Sequence, residues 1–376
     1  MCTATSLFST DTSLSDSARI SLLTCSPGDE LYSCFGHSGI RVTDYKQDID
    51  VVFNYGTFDF GQPNFYLNFA KGHMIYMLGV DRFQDFREQY VYEQRSIYEQ
   101  QIALSNDEQK KVFDFLLNNS KVENRNYRYD FLYDNCATRI LTVFEKTLSP
   151  NIQFDFSTFT ERKSFRDLIN DYSMSKPWEQ FGMGILIGLP VDKITTPRQK
   201  CFLPDYISRA FAHATMRSTP LCQPIQKILS IEALHHPKTL DQIITPNIAF
   251  GILLLLILAL SLWELKRKVH YYAIDYILFF IAGLLGTLFF ILSSFTEHTT
   301  TAWNLNILWA LPTHLLAAIT LPFAKNKKWL KYYFLLSAFL ACSMVMGWKL
   351  LPQQFLIANI FIAAIYMLRS LSLFKA

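Results

Sequence analysis

The chain has 376 residues, room for one globular domain and a second region of different character. A formal charge of +3 supplies no basic excess of the kind nucleic-acid binding needs, so that class is set aside. Half of the residues are hydrophobic, but unevenly placed: up to about residue 245 the chain reads as globular and rich in Phe and Tyr, and beyond Pro246 it becomes long apolar blocks between short polar loops.

Residues 1–17 are mostly polar and show neither the basic nor the apolar region of an export signal, with Leu7-Phe8 as the apolar pair. A signal is therefore expected upstream of this sequence or already removed from it. Residues 18–245 then read as an α+β domain. Arg19–Cys25 is a short apolar strand, and Thr24-Cys-Ser-Pro-Gly28 turns the chain. Ser38–Tyr45 and Val51–Tyr55 alternate around a reversal near residues 46–47 and form a hairpin. A short helix is expected at Asn64–Ala70, a strand at Met74–Val80, a helix at Asp81–Tyr92 and a strand at Ser96–Leu104. Ser105-Asn-Asp-Glu108 is a capping box opening a helix through Leu117. Tyr127–Tyr133 leads into a further helix, and after Pro150 the pattern weakens to a helix near Thr160–Asn170, a small-residue run Gly182–Gly188, and a linker through His235-His236-Pro237.

The chemistry is expected at Arg128-Tyr-Asp-Phe-Leu-Tyr-Asp-Asn-Cys-Ala-Thr-Arg139. Apolar residues at 140, 141, 143 and 144 mark one face of a helix, with Asp134 or Asn135 as N-cap and Cys136 in the first turn. A thiol there meets unpaired backbone N–H groups and the positive helix end, which favours thiolate. Most free cysteines are merely small buried hydrophobes. What raises Cys136 above that reading is Phe35-Gly-His-Ser38, which puts His37 at the mouth of a strand, the second half of a thiol–imidazole pair. A third group should orient the imidazole. Asn54 is first choice, because the hairpin brings it opposite residues 38–39; Asp59 and Asp130 follow. Tyr55, Arg41, Tyr129, Asn135 and Arg139 are candidates for ordering the site or contacting a phosphate, although an outward arginine on a strand is ordinary. Cys25–Cys34 or Cys201–Cys222 could bridge in an oxidising compartment, but spacing alone does not choose. His37, His73, His235 and His236 lack metal-ligand spacing, so no metal and no cofactor is expected.

The apolar blocks run approximately over 247–263, 272–294, 305–323, 332–348 and 354–371, each near the roughly 20 residues a helix needs to cross a bilayer. Residues 246–376 are thus expected to form an all-α bundle of five transmembrane helices. Lys266, Arg267, Lys268, Lys325, Lys327, Lys328, Lys331, Arg369 and Lys375 fall on one side and Lys349 on the other, which places the first set in the cytoplasm and the N-terminal domain outside. The outward connector Phe295–Asn306 carries Glu297, His298, Trp303, Asn304 and Asn306. Trp303 suits an interfacial anchor, His298 either an acid–base group or a solvated side chain, and the two asparagines need polar partners near hydrocarbon.

Thr24-Cys-Ser-Pro-Gly28, Phe35-Gly-His-Ser38, Phe53-Asn-Tyr-Gly-Thr-Phe-Asp-Phe60, Tyr127-Arg-Tyr-Asp-Phe-Leu-Tyr-Asp-Asn-Cys136, Glu297-His298 and Trp303-Asn-Leu-Asn306 together resemble the Lnb family, the Bacteroides-type lipoprotein N-acyltransferases. The order of His37 before Cys136 is also similar, more weakly, to the permuted papain-like group that includes lecithin:retinol acyltransferase. The resemblance implies a multi-pass enzyme of a bacterial inner membrane with a periplasmic catalytic domain and a cytoplasmic C-terminus. It implies an acyl thioester on Cys136, a phospholipid or other lipid as acyl donor, and the α-amine of a diacylglyceryl-cysteine lipoprotein as acceptor. Two other classes share these residues: a membrane-anchored cysteine hydrolase acting on cell-wall peptides or lipid esters, and a noncatalytic membrane-assembly protein with a structural Cys136.

Overall fold

The computed structural model describes residues 13–59, 61, 63–231, 239–323 and 328–375. The start of the polar N-terminal stretch, Phe60, the His235-His236-Pro237 linker, and Lys325 and Lys327 lie outside the described residues. The chain divides into two compact units, Met1–Phe165 with Ile194–His236, and Arg166–Lys193 with Pro237–Ala376.

In chain order, the first unit contains β1 (Arg19–Cys25), β2 (His37–Asp44), β3 (Ile49–Thr57), α1 (Phe65–Lys71), β4 (Ile75–Arg82), α2 (Phe83–Tyr92) and β5 (Ile97–Ile102). It continues with α3 (Asn106–Ser120), β6 (Asn126–Arg128), α4 (Cys136–Leu148) and β7 (Ile152–Gln153). From the second unit come α5 (Phe165–Ser173, which begins on the last residue of the first) and α6 (Pro177–Leu186). The first unit resumes with α7 (Pro204–Ala212), β8 (Thr215–Met216), β9 (Thr219–Pro220) and β10 (Gln226–Leu229). Seven strands form one antiparallel sheet in the order β10-β5-β1-β2-β3-β4-β6, and β7-β8-β9 form a small second one.

The three strands expected first from the sequence, β1, β2 and β3, lie at the middle of that sheet. Val52 packs with Phe86 and Tyr90 of α2, and its neighbour Phe53 meets Phe113 of α3 edge to face. Successive side chains on a strand point oppositely, so α2 and α3 cover opposite faces. Helix α4 rests on β2 and β3 beside α3. Its buried Ile140, Leu141, Val143 and Phe144 stabilise that contact by roughly 1.5–3 kcal/mol each. An N-cap contributes about 1 kcal/mol, so burial holds the helix while the cap decides where it starts.

The second unit carries α8 (Leu240–Ile243), α9 (Pro246–Arg267), α10 (Tyr272–Phe295), α11 (His314–Thr320), α12 (Lys328–Gly347) and α13 (Ile357–Lys375). Among the described residues, four helices are long and apolar enough to cross a membrane: α9, α10, α12 and α13. The block at 305–323 departs from the expected continuous span. It folds as a 3-10 turn at Leu305–Leu308, the short α11, and a 3-10 turn at Leu321–Phe323. Pro312 interrupts helical hydrogen bonding there. The irregular stretch is packed in protein: a Cβ on Gly283 would fall on the Leu315 backbone and one on Gly286 on the Ala310 carbonyl, so α10 approaches it through bare backbone. Non-helical backbone at membrane depth is tolerated under such cover.

Arg369 is not a tail charge, as the loop count assumed. It is fully buried, paired to both oxygens of Asp275 at 2.7 and 2.9 Å and to Glu264 at 2.6 Å. His270 adds a 2.7 Å contact to Asp275. The positive excess on that side stands without it.

Candidate active site

Helix α4 begins at Cys136 because Asn135 stops it from starting earlier. The Asn135 side chain accepts from the Thr138 N–H at 3.0 Å, and Thr138 Oγ1 accepts from the Asn135 N–H at 2.8 Å. Asn135 Nδ2 donates to the Phe131 and Phe202 carbonyls at 2.8 and 2.7 Å. Every polar atom of that side chain therefore fixes the helix head, a supporting position. Asp130 Oδ1 accepts from the Leu132 and Tyr133 N–H groups and shapes the turn before it. Arg139 pairs with Asp134 and lies over the Tyr127 ring at 3.9 Å, bracing the same turn from the helix side.

His37 opens β2 directly after Gly36, whose φ of +78° is the left-handed conformation that glycine takes without strain. A Cβ on Gly36 would also sit 2.8 Å from the Cys25 carbonyl. The β2–β3 register pairs Ile40 with Phe53, so Asn54 falls across from Gly39, where no side chain stands between it and His37. His37 Nε2 and Asn54 Oδ1 are 2.6 Å apart. The amide oxygen can only accept, so Nε2 carries the hydrogen and Nδ1 is the basic atom of the neutral ring. Asn54 Nδ2 in turn reaches Asp81 Oδ2 at 3.4 Å, which fixes which way the amide faces.

Cys136 is hydrogen-bonded to His37, and the Ser38 and Ala137 N–H groups point at its sulfur. Burial pushes the thiol pKa up; the His37 charge, the His37 hydrogen bond and these two N–H groups outweigh it, and the net direction is down. On His37 burial pushes down, while Cys136 and Asn54 push up and prevail. Both directions favour the charged forms, thiolate on Cys136 and imidazolium on His37. Three other cysteines of this unit differ: burial pushes Cys25, Cys201 and Cys222 each up to about 12. Neither Cys25–Cys34 nor Cys201–Cys222 is bridged.

Beside the pair, Gly56 occupies a bulge in β3 with φ +92°; a Cβ there would lie 3.6 Å from Cys136 Cβ and 4.0 Å from Tyr129. Tyr129 stacks on Tyr76 at 4.3 Å. Tyr55 is buried in the core, its ring edge to face with Tyr127.

The structure thus gathers Cys136, His37, Asn54 and Tyr129 at one point, with Asn135, Asp130 and Arg139 holding the helix head. Arg41 is elsewhere, four residues along β2, or roughly 13 Å from His37. Its guanidinium is committed to Asp50 at 2.8 Å twice and to Glu99 at 3.3 Å. His298, Trp303, Asn304 and Asn306 belong to the second unit. There Asn304 donates to the Ile185 carbonyl at 2.7 Å, and Asn306 joins Trp309 and Asn359 at 3.0 Å each. Trp303 is exposed. Asp81, Gly56 and Tyr76 were not singled out from the sequence; strand alternation and the bulge would have had to be known to see them.

Residues 5–171 match the Lnb N-terminal periplasmic domain, and residues 238–376 match the Lnb transmembrane domain. No curated protein and no solved structure matches the chain. With both halves matched in order, the chain belongs to the Lnb family and is a membrane protein with a periplasmic N-terminal domain.

Proposed function

We propose that the chain is a cysteine-dependent lipoprotein N-acyltransferase of a bacterial inner membrane, with its C-terminus in the cytoplasm. The observation that carries this reading is Cys136 at a helix head, its thiol pKa lowered, bonded to a His37 that Asn54 orients. The His-strand before Cys-helix order supports a permuted papain-like arrangement of these parts, and the packed segment at 305–323 supports a fifth crossing.

In the first half-reaction the Cys136 thiolate attacks the carbonyl carbon of a lipid acyl ester. The N–H of Cys136 at the helix head is the candidate donor to the developing oxyanion. The tetrahedral intermediate collapses with cleavage of the ester C–O bond, and the departing alkoxide takes the proton from His37. This leaves a thioester on Cys136 and a lyso-lipid. In the second half-reaction, the free α-amine of a diacylglyceryl-cysteine lipoprotein attacks the thioester, gives its proton to His37, and expels the thiolate. The products are an amide and the restored enzyme. No cofactor enters this sequence.

Mass spectra of lipoprotein N-termini test the reading in cells. Cells with the intact protein should yield N-acylated termini. Cells carrying Cys136→Ala should yield termini with a free amine and an unchanged diacylglyceryl group. N-acylation persisting in Cys136→Ala, with no other source of the activity, would contradict it.

A further inference from the structure

From the thiol, a line of aromatic rings runs out to the protein surface. Tyr129, beside Cys136 and Gly56, stacks on Tyr76 at 4.3 Å; Tyr76 meets Phe58 at 5.3 Å; Phe58 stacks on Phe65 at 6.2 Å. Phe65 then meets Tyr66 at 5.5 Å and Phe69 at 6.4 Å. Tyr129, Tyr76, Phe58 and Phe65 are each half-buried. The line ends in α1, a helix with no buried residue, whose Tyr66, Leu67 and Phe69 are 77%, 52% and 49% exposed.

The topology explains why these features meet. Strand β1 ends at Cys25 and β2 starts at His37, so the β1–β2 connection leaves the sheet at the catalytic end. The β3–β4 connection, which contains α1, leaves at that same end. Leu31 and Tyr32 in the first connection and Tyr133 before α4 are also exposed. A soluble surface seldom gathers apolar groups this way without a partner. In a chain anchored in a membrane, a lipid surface is the partner always within reach. Aromatic side chains with a flanking lysine, here Lys71, are the composition that settles at a bilayer interface.

We infer that the ring wall Tyr129–Tyr76–Phe58–Phe65 is the binding track for the long acyl chain of a glycerophospholipid donor, and that α1 is the element that enters the bilayer to take that chain up. This rests on the acyl-transfer reading and names its substrate-binding surface. Phe58 and Phe65 at the outer end offer no hydrogen bond, and the ring faces along the line shield a hydrocarbon chain from water on the path to the sulfur. The donor ester would then arrive at Cys136 with its chain already laid on the wall.

The test uses full-length Cys136→Ala protein in phosphatidylcholine vesicles containing a phosphatidylcholine with a diazirine in its acyl chain. After irradiation, adducts should map to Phe58, Phe65, Phe69 or Tyr76 as well as to the membrane helices. Adducts on the membrane helices alone overturn the inference. So does labelling of those rings by a diazirine-bearing diacylglyceryl peptide and not by the phospholipid. A second measurement compares acylation of Cys136 by long-chain and short-chain phospholipids in Phe65→Asp, with alkylation of Cys136 by iodoacetamide reporting a folded site. The ratio of long-chain to short-chain rates should fall roughly tenfold or more, the loss expected from one apolar contact. Equal rates of loss for both chain lengths contradict the track. Adducts on the rings in a protein whose Cys136 is never acylated would support the track and remove the transferase reading.

Discussion

At Cys136 two effects of opposite sign meet: burial disfavours the thiolate, and an imidazolium with two backbone N–H groups favours it more. The thiol is lowered and the imidazole raised, so the two groups favour each other's charged form, and loss of His37 removes what lowers the thiol most. Alkylation of Cys136 by iodoacetamide should therefore extend to lower pH than that of an ordinary thiol, whose pKa is about 8.5. In His37→Ala the alkylation profile should move to higher pH; an unmoved profile would show that His37 does not set the thiol. Asn54→Ala leaves the base in place but frees its ring, so a partial loss of about tenfold to a hundredfold in acyl transfer is expected, against near-complete loss for Cys136→Ala. At this scale much was legible. Cys136 could be placed by its N-cap and apolar periodicity, and Asn54 by counting across the hairpin turn. Asp81 could not, because its approach to Asn54 depends on the β3–β4 register, which no local pattern encodes.

Elements were readable where one local signal dominates. The capping box at Ser105 and Glu108 opens α3, an apolar run gives β1, and alternation gives β2 and β3 to within a residue or two. Hydropathy found every apolar block but not the break at 305–323, since packing against Gly283 and Gly286 decides whether irregular backbone is tolerated there. Likewise α6 replaced what had read as a small-residue run, because Gly184 sits against Leu356. The close approach at Gly286 gives a prediction. A Cβ there would overlap the Ala310 carbonyl, so Gly286→Val should cost at least about 1–3 kcal/mol, read as a lowered Tm in detergent. Gly182, with nothing within 4 Å, supplies the comparison: Gly182→Ala should be nearly neutral. Equal effects at the two positions would mean that the 310–315 segment does not pack on α10 as described.

For the whole molecule, loop charge and the buried ion network make separate demands. Arg369 is fully buried against Asp275 and Glu264, and removing one partner of such a cluster costs about 3–5 kcal/mol; without the arginine two carboxylates of like charge are left buried together. Arg369→Met should accordingly lower the yield of folded protein sharply; wild-type Tm in that variant would show the network to be solvated. Compartment reporters fused at Ala210 and at Lys268 should give opposite signals, as one crossing by α9 requires. The central claim, acyl transfer through Cys136, is tested most directly by a label chase. Purified protein is mixed with phospholipid labelled in its acyl chain, and then with a diacylglyceryl-cysteine peptide bearing a free α-amine. The account predicts label on Cys136 that hydroxylamine releases, moving to the peptide as an amide and remaining on the enzyme when the amine is acetylated. Label appearing chiefly as free fatty acid, with or without the peptide, would contradict it and make the protein a lipid hydrolase.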